Sequence, residues 1–210
     1  MPIKKIAVLV SGRGSNLQAI MDNIENGRIN GKIEVVISSS RDAYALERGE
    51  KHGIEGIYIG KDRFPNIDKR NNRLIEVLGE KGIDLIVLAG YMNILNEKIV
   101  KLYRNRIINI HPSLIPSFCG KGFYGERVHK AVLDYGVKLT GATVHFVDEG
   151  TDTGPIILQK AVEVDFGDTV QTLSKKVLKV EHELLPLAVQ MFCQDRLEVQ
   201  GRKVIIVDGD

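Results

Sequence analysis

Short β-branched runs alternate with longer amphipathic stretches through the first half of this chain, and that rhythm restricts the fold more than any other feature. Ile6-Ala7-Val8-Leu9-Val10 reads as a buried strand, followed by a glycine turn and a helix from about Asn16 to Asn26. Ile33–Ile37 is a second strand, and a short helix near 43–52 leads to a weaker strand at Ile57–Ile59. Within 68–81, Leu74, Ile75 and Leu78 have the spacing of one helical face. Asp84–Gly90 is apolar on both faces, as a central parallel strand must be. Such a β-α-β-α series predicts an open, Rossmann-like α/β sheet with helices on both faces.

The second half departs from the pattern. Arg106–His111 is a strand with polar groups at its carboxyl end, followed by a glycine-punctuated loop over 118–125 and a helix to about Tyr135. Two strands, Ala142–Val147 and Pro155–Val164, are separated by a turn and predict an antiparallel pair. A long helix over 169–192 and a hairpin over 198–204 complete the chain. The expectation is a mostly parallel sheet with an antiparallel C-terminal extension. No linker or repeat interrupts it, so residues 1–210 are expected to form a single domain.

Composition narrows the function classes. With 29 Lys+Arg against 27 Asp+Glu, the net charge of +2 does not suit a dedicated nucleic-acid or membrane-surface binder. No apolar run approaches the roughly 20 residues that cross a bilayer, and the N-terminal apolar run ends at Ser11, too early for a targeting segment. Cys119 and Cys193, the only two cysteines, form neither a disulfide framework nor a ligand pair, so a reducing cytoplasm is expected. There is no His-Glu-x-x-His and no paired Cys, and no metal is expected.

Two places carry chemistry. Ser11-Gly12-Arg13-Gly14-Ser15-Asn16 lies between a strand and a helix, where backbone N–H groups and the helix N-terminus can receive an anion. Leu17 stands where a dinucleotide fingerprint needs its third glycine, and no Gly-Lys-Ser/Thr follows, so one phosphate fits better than a pyrophosphate. An ordinary βα turn, with Ser and Asn capping the helix, fits the same residues. The second place is Asn109-x-His111, whose period of two puts both side chains on one face of a strand. The acidic turn Asp148–Pro155 can bring Asp152 against that histidine. Asn109 would then donate to a developing oxyanion and His111 would donate or shuttle a proton. Asp152 would orient the imidazole and raise its pKa. The alternative is a hydrogen-bonded structural histidine beside a turn-forming Asp. No Gly-x-Ser-x-Gly elbow is present, which argues against a covalent acyl-enzyme.

Three segments together resemble one family. They are Ser11–Gln18, Asn109-Ile110-His111-Pro112-Ser113-Leu114-Ile115-Pro116, and Val144–Val147 followed by Thr151-Asp152-Thr153-Gly154-Pro155. The Asn-x-His-Pro-Ser and Asp-x-Gly-Pro pair resembles the folate-dependent formyltransferases, and the Gly-Ser-Asn turn narrows this to the phosphoribosylglycinamide formyltransferases of purine biosynthesis. The resemblance runs through Glu181-His182-(x)3-Pro186. It implies transfer of a formyl group from 10-formyltetrahydrofolate, as co-substrate, to the glycine amine of glycinamide ribonucleotide. Asn109, His111 and Asp152 would be catalytic, with the imidazole kept charged by Asp152. Gly14, Ser15, Asn16 and Glu181 would bind the ribonucleotide. Met92, Asn93, Ile94, Leu95, Asn109, Asp148, Glu149, Gly150, Thr151 and Asp152 would lie against the folate. The N-terminal half would bind the nucleotide and the C-terminal half the folate, in a monomer or weak homodimer. The partners would be small-molecule substrates, with neither nucleic acid nor membrane.

Two positions depart from the pattern: Asn93 stands where relatives commonly have Arg, and Leu178 where they often have Lys or Gln. The length leaves no room for the added domain of a tRNA formyltransferase or a deformylase. Two competing readings are a 10-formyltetrahydrofolate hydrolase and a nucleotide-binding module without chemistry. The remaining histidines read as bystanders. His52 and His129 fall on helix surfaces, His145 packs beside the site, and His182 is structural. Loop 118–125 reads equally as a lid over the folate or as a plain surface loop.

Overall fold

A computed structural model describes residues 2–208. The chain divides into two compact units, one running through Ile108 and the other starting at Asn109.

The first unit contains β1 (Lys4–Val10), α1 (Ser15–Glu25), β2 (Gly31–Ser38), α2 (Tyr44–Lys51), β3 (Gly56–Tyr58), α3 (Ile67–Glu80), β4 (Leu85–Leu88) and α4 (Glu97–Leu102). Strand β1 pairs in parallel with β2 on one side and β4 on the other, and β2 pairs in parallel with β3. The order is therefore β3-β2-β1-β4, with Ile6 opposite both Ile33 and Leu85. Residues Ile6–Val10 are fully buried, as are Leu85, Ile86 and Val87. Each Val, Leu or Ile among them contributes about 1.5–3 kcal/mol by leaving water, and this continuous burial is why both runs lack alternation. The expected helix 68–81 is observed as α3, capped by the Asn66 side chain, which accepts from the Asp68 and Lys69 N–H groups. Helix α4 was not expected. Its six residues are too few to show a period, and the Asn96 side chain, accepting from Ile99 N, is what starts it.

The carboxyl ends of these strands are drawn together. Ser39 N–H donates to Val10 O at 3.0 Å and Ala89 N–H to Leu9 O at 2.9 Å. The Ser11 hydroxyl lies 2.5 Å from that of Ser39 and accepts from Met92 N–H at 2.8 Å. The glycine turn, the end of β2 and the loop after β4 are thus fastened to one another, on the side of an α/β sheet where ligands bind.

Strand β5 (Ile107–His111) crosses the division, with Asn109, Ile110 and His111 opening the second unit. That unit continues with α5 (Glu126–Tyr135), β6 (Leu139–Phe146), β7 (Ile156–Glu163), α6 (Val170–Cys193), β8 (Leu197–Gln200) and β9 (Lys203–Ile206). The expected antiparallel pair is β6–β7, in register from Leu139↔Glu163 to Val144↔Leu158. The expected hairpin is β8–β9, whose second strand touches β7 in parallel at Ile156↔Lys203. Helix α6 starts in a capping box between Thr169 and Thr172 and buries Leu173, Val177, Leu184, Leu185 and Val189. The mostly parallel α/β arrangement with antiparallel C-terminal strands is as the sequence implied.

Candidate active site

In the second unit the strand end, the loop after it and the acidic turn converge. The Asn109 Nδ2 lies 3.1 Å from His145 Nε2, and His145 Nδ1 lies 2.8 Å from the Phe146 carbonyl. A carbonyl only accepts, so Nδ1 carries the proton and the neutral ring's Nε2 accepts from the Asn109 amide. That contact fixes which way the amide faces and aims its N–H₂ group. The Asp152 carboxylate stands between the two imidazoles, 3.5 Å from His111 Nδ1 through Oδ2 and 3.7 Å from His145 Nε2 through Oδ1. Gly120 N–H donates to Asp152 Oδ2 at 2.9 Å. Asn109, His111 and Asp152 are therefore gathered as the residue pattern suggested.

The supporting shell explains how the turn holds this position. Asp152 has φ 57°, a left-handed conformation that short polar residues tolerate better than most. Asp148 Oδ1 accepts from Gly150 N–H at 3.1 Å and from the Thr153 hydroxyl at 2.6 Å. Gly154 passes so close to β6 that a Cβ there would lie 1.8 Å from the Phe146 carbonyl oxygen. Arg202, from the β8–β9 turn, donates to Thr153 O at 2.9 Å. On the other flank, the Thr143 hydroxyl donates to Ser113 O at 2.6 Å and accepts from Ile115 N–H at 3.1 Å.

One detail differs from the sequence expectation. His111 is 4% exposed, and burial pushes its pKa below the ordinary 6.5. That outweighs the Asp152 carboxylate and the Phe118 carbonyl, which pull it upward, and the neighbouring His145 lowers it further. The expected rise does not occur, because the cost of burying an imidazolium exceeds what one partly buried carboxylate returns. Asp152 itself, although burial raises it, ends below the ordinary carboxylate value. The Gly120 N–H donates to it, and either imidazole favours the anion when it carries its second proton. The His111 proton has a set direction: Nε2 donates to the Phe118 carbonyl at 2.9 Å. Loop 118–125 is accordingly tied to this group at both Phe118 and Gly120, with the Phe118 ring edge-on to Phe123 and Tyr135.

His145 packs beside the site, as expected, and also orients Asn109 by accepting from its amide. His129, read as a helix-surface residue, is 4% exposed, since it shares the inward face of α5 with Val128 and Val132. His52 is exposed at the end of α2, as expected. Glu181 and His182 lie half-buried on α6, both engaged in contacts.

In the first unit the glycine turn leads from β1 into α1. Gly14 is the N-cap of α1, with φ 72° and ψ 32°, and as a glycine it has no side chain to cap the helix. A Cβ at Gly14 would sit 2.6 Å from Ala45 Cβ, so the turn runs flush against α2. Ser15 is half-buried and Asn16 is buried. In the loop after β4, the Met92 and Ile94 side chains are exposed, Leu95 packs inward, and Asn93 is half-buried. Among the described residues no cluster of three His, Cys, Asp or Glu could hold a metal, and no helix is long and apolar enough to cross a membrane.

A sequence model described as Formyl transferase matches residues 4–189, across both units. The chain belongs to that family. It is 37% identical to the phosphoribosylglycinamide formyltransferase of Haemophilus influenzae, over 99% of this chain and 95% of that protein. It is 42% identical to the trifunctional purine biosynthetic protein adenosine-3 of Bos taurus, over 94% of this chain but 19% of that much longer protein. The solved structure of glycinamide ribonucleotide transformylase 1 from Symbiobacterium toebii is 44% identical. It superposes with a TM-score of 0.93 over 98% of this chain and 95% of its own.

Proposed function

We propose that this formyl transferase moves the formyl group of 10-formyltetrahydrofolate to the glycine amine of glycinamide ribonucleotide, giving N-formylglycinamide ribonucleotide and tetrahydrofolate. The observation that carries this reading is the group formed by Asn109, His145, Asp152 and His111: an oriented amide donor beside a buried imidazole and a carboxylate. Its chemistry is that of amine attack on an activated formyl carbon. As the new C–N bond forms, the carbonyl electrons move to oxygen, and the Asn109 N–H group donates to that oxyanion. The ring of His111, neutral at pH 7 because burial lowers its pKa, takes the proton of the attacking nitrogen. The resulting imidazolium is held beside ionised Asp152. The same proton goes to N10 of the folate as the C–N10 bond breaks, so His111 ends neutral.

The resemblance assigns the acceptor's phosphate to Gly14, Ser15 and Asn16, its ribose to Glu181, and the folate to Met92–Leu95 and Asp148–Asp152. Support for the phosphate assignment is the N-terminus of α1, which opens directly behind the left-handed Gly14 turn. Exposed Met92 and Ile94 offer apolar surface to a pterin. Both units would then serve one reaction, as a single functional domain in the cytoplasm, without nucleic acid or membrane as partner.

The test is a spectrophotometric assay of 10-formyltetrahydrofolate consumption with and without glycinamide ribonucleotide. Strict dependence on the amine is expected. Consumption without it would replace transfer by hydrolysis, and no consumption in either case would leave only binding.

The proton inventory has its own expected outcome. The His111 ring, followed by NMR through pH, should titrate below 6.5, since burial disfavours its charged form. In Asp152→Asn it should titrate lower still, because the carboxylate is the main group opposing burial. A shift upward in that variant would contradict this account.

A further inference from the structure

The glycine turn is shaped from behind by α2. Two of its carbonyls point at that helix: Ala45 N–H donates to Gly12 O at 3.1 Å, and Arg48 Nε donates to Arg13 O at 2.9 Å. In a planar trans peptide the C=O and the following N–H point in opposite directions. Holding the Gly12 and Arg13 carbonyls toward α2 therefore turns the N–H groups of Arg13 and Gly14 away from it. Gly14, in its left-handed conformation, completes the turn at the point where α2 leaves no space for a side chain.

Arg48 is itself held in place. Its Nη1 donates to Gln18 Oε1 at 2.9 Å, and Gln18 Nε2 donates to Asp22 Oδ1 at 2.8 Å. Its guanidinium carbon lies 4.9 Å from the centre of the Tyr44 ring. One planar fork thus reaches the turn and the first helix together, which a lysine ammonium cannot reproduce. A residue that served only to stabilise α2 would have no reason to reach across 35 positions to a backbone carbonyl of the turn.

We propose that Arg48 is a positioning residue that presets the turn for an anion, aiming the Arg13 and Gly14 N–H groups at the phosphate of the acceptor. This rests on the reading of the turn as the ribonucleotide phosphate site. Arg48 does no chemistry, so its effect falls on binding of the phosphorylated substrate alone.

The test pairs kinetics with a phosphate titration. Arg48→Met keeps an unbranched apolar side chain and removes both hydrogen bonds. It is expected to raise KM for glycinamide ribonucleotide about tenfold, with kcat and KM for 10-formyltetrahydrofolate within about twofold. Arg48→Lys, which keeps stem and charge, should fall between, and it carries the test if Arg48→Met does not fold. Inorganic phosphate alone, followed by the Arg13 and Gly14 amide resonances, should require about tenfold more phosphate in the variant for the same shift. Equal phosphate affinity in wild type and variant would overturn the role of Arg48 while leaving the phosphate site intact. Phosphate shifting neither amide in the wild type would overturn the phosphate site and the inference with it. A parallel loss in kcat, both KM values and Tm would also overturn the inference, since a general structural role predicts it.

Discussion

Asn109→Ala is expected to lower kcat for formyl transfer by about 10²–10³, the usual cost of removing one oxyanion donor from a preorganised site. The side chain is oriented before any substrate arrives, because His145 Nε2 accepts from its amide and His145 is locked in turn by the Phe146 carbonyl. The loss should fall on kcat more than on either KM, since the donor meets full negative charge only after the amine has attacked. Stability should fall by about 1–3 kcal/mol as well, because the buried Nε2 of His145 loses its donor. Asn109→Asp separates the two effects. It preserves volume but offers an acceptor to another acceptor, so it should be as inactive as Asn109→Ala. Steady-state rates at saturating amine, with urea denaturation of both variants, check this. A variant retaining more than about a tenth of the wild-type kcat would remove Asn109 from the reaction.

Much of this arrangement was legible in residue order, and the parts that were not depend on how the folded chain packs. The strands β1 and β4 announce themselves because Ile6–Val10 and Leu85–Leu88 are apolar on both faces, which only an interior parallel strand requires. Asn109 and His111 were readable as a pair because the strand period puts them on one face. His145 was not. It sits in a strand where every residue from Thr140 to Phe146 is buried, and its meeting with Asn109, 36 positions earlier, is made by tertiary packing. The only sequence signal was a lone polar ring in an otherwise apolar-to-neutral run. His129 misled for the opposite reason: its charged neighbours Glu126, Arg127 and Lys130 suggested a solvated face, but the helix turns His129 inward with Val128 and Val132. The direction of the His111 pKa also lay beyond the sequence. A carboxylate partner is visible in the Asp-x-Gly-Pro turn, whereas the depth of burial that outweighs it belongs to the folded chain. Arg48 belongs with these, since nothing at position 48 marks the carbonyl it reaches at Arg13.

Asp152→Asn should be about as damaging as loss of a general acid–base group, about 10²–10⁴ in kcat, although it removes no atom that touches the formyl carbon. The carboxylate has three neighbours: the Gly120 N–H at 2.9 Å, His111 Nδ1 at 3.5 Å and His145 Nε2 at 3.7 Å. An asparagine can serve Gly120 with its carbonyl oxygen, so the loop remains anchored and the fold is retained. Its N–H₂ group then faces an imidazole nitrogen. It can donate to the neutral ring but cannot stabilise the charged one. The reaction needs that charge for the interval in which His111 carries the amine proton, and burial already works against it. The ionised carboxylate is suited to this task because its own pKa lies below the ordinary range, so it stays charged throughout neutral pH. Stability gives an independent reading with a fixed sign. Asp152 binds its proton less readily folded than unfolded, so its contribution is complete above the ordinary pKa near 3.8 and lost as pH falls through the folded value. His111, also lowered, adds a loss that begins as pH drops below 6.5. Urea midpoints measured from pH 7.5 to pH 3 should therefore decline in two stages for the wild type. In Asp152→Asn the contribution of Asp152 to the lower stage should disappear while the upper stage persists. A variant with wild-type kcat, or one that keeps the full decline below pH 4, would show that this carboxylate neither steadies the imidazolium nor titrates as its surroundings require.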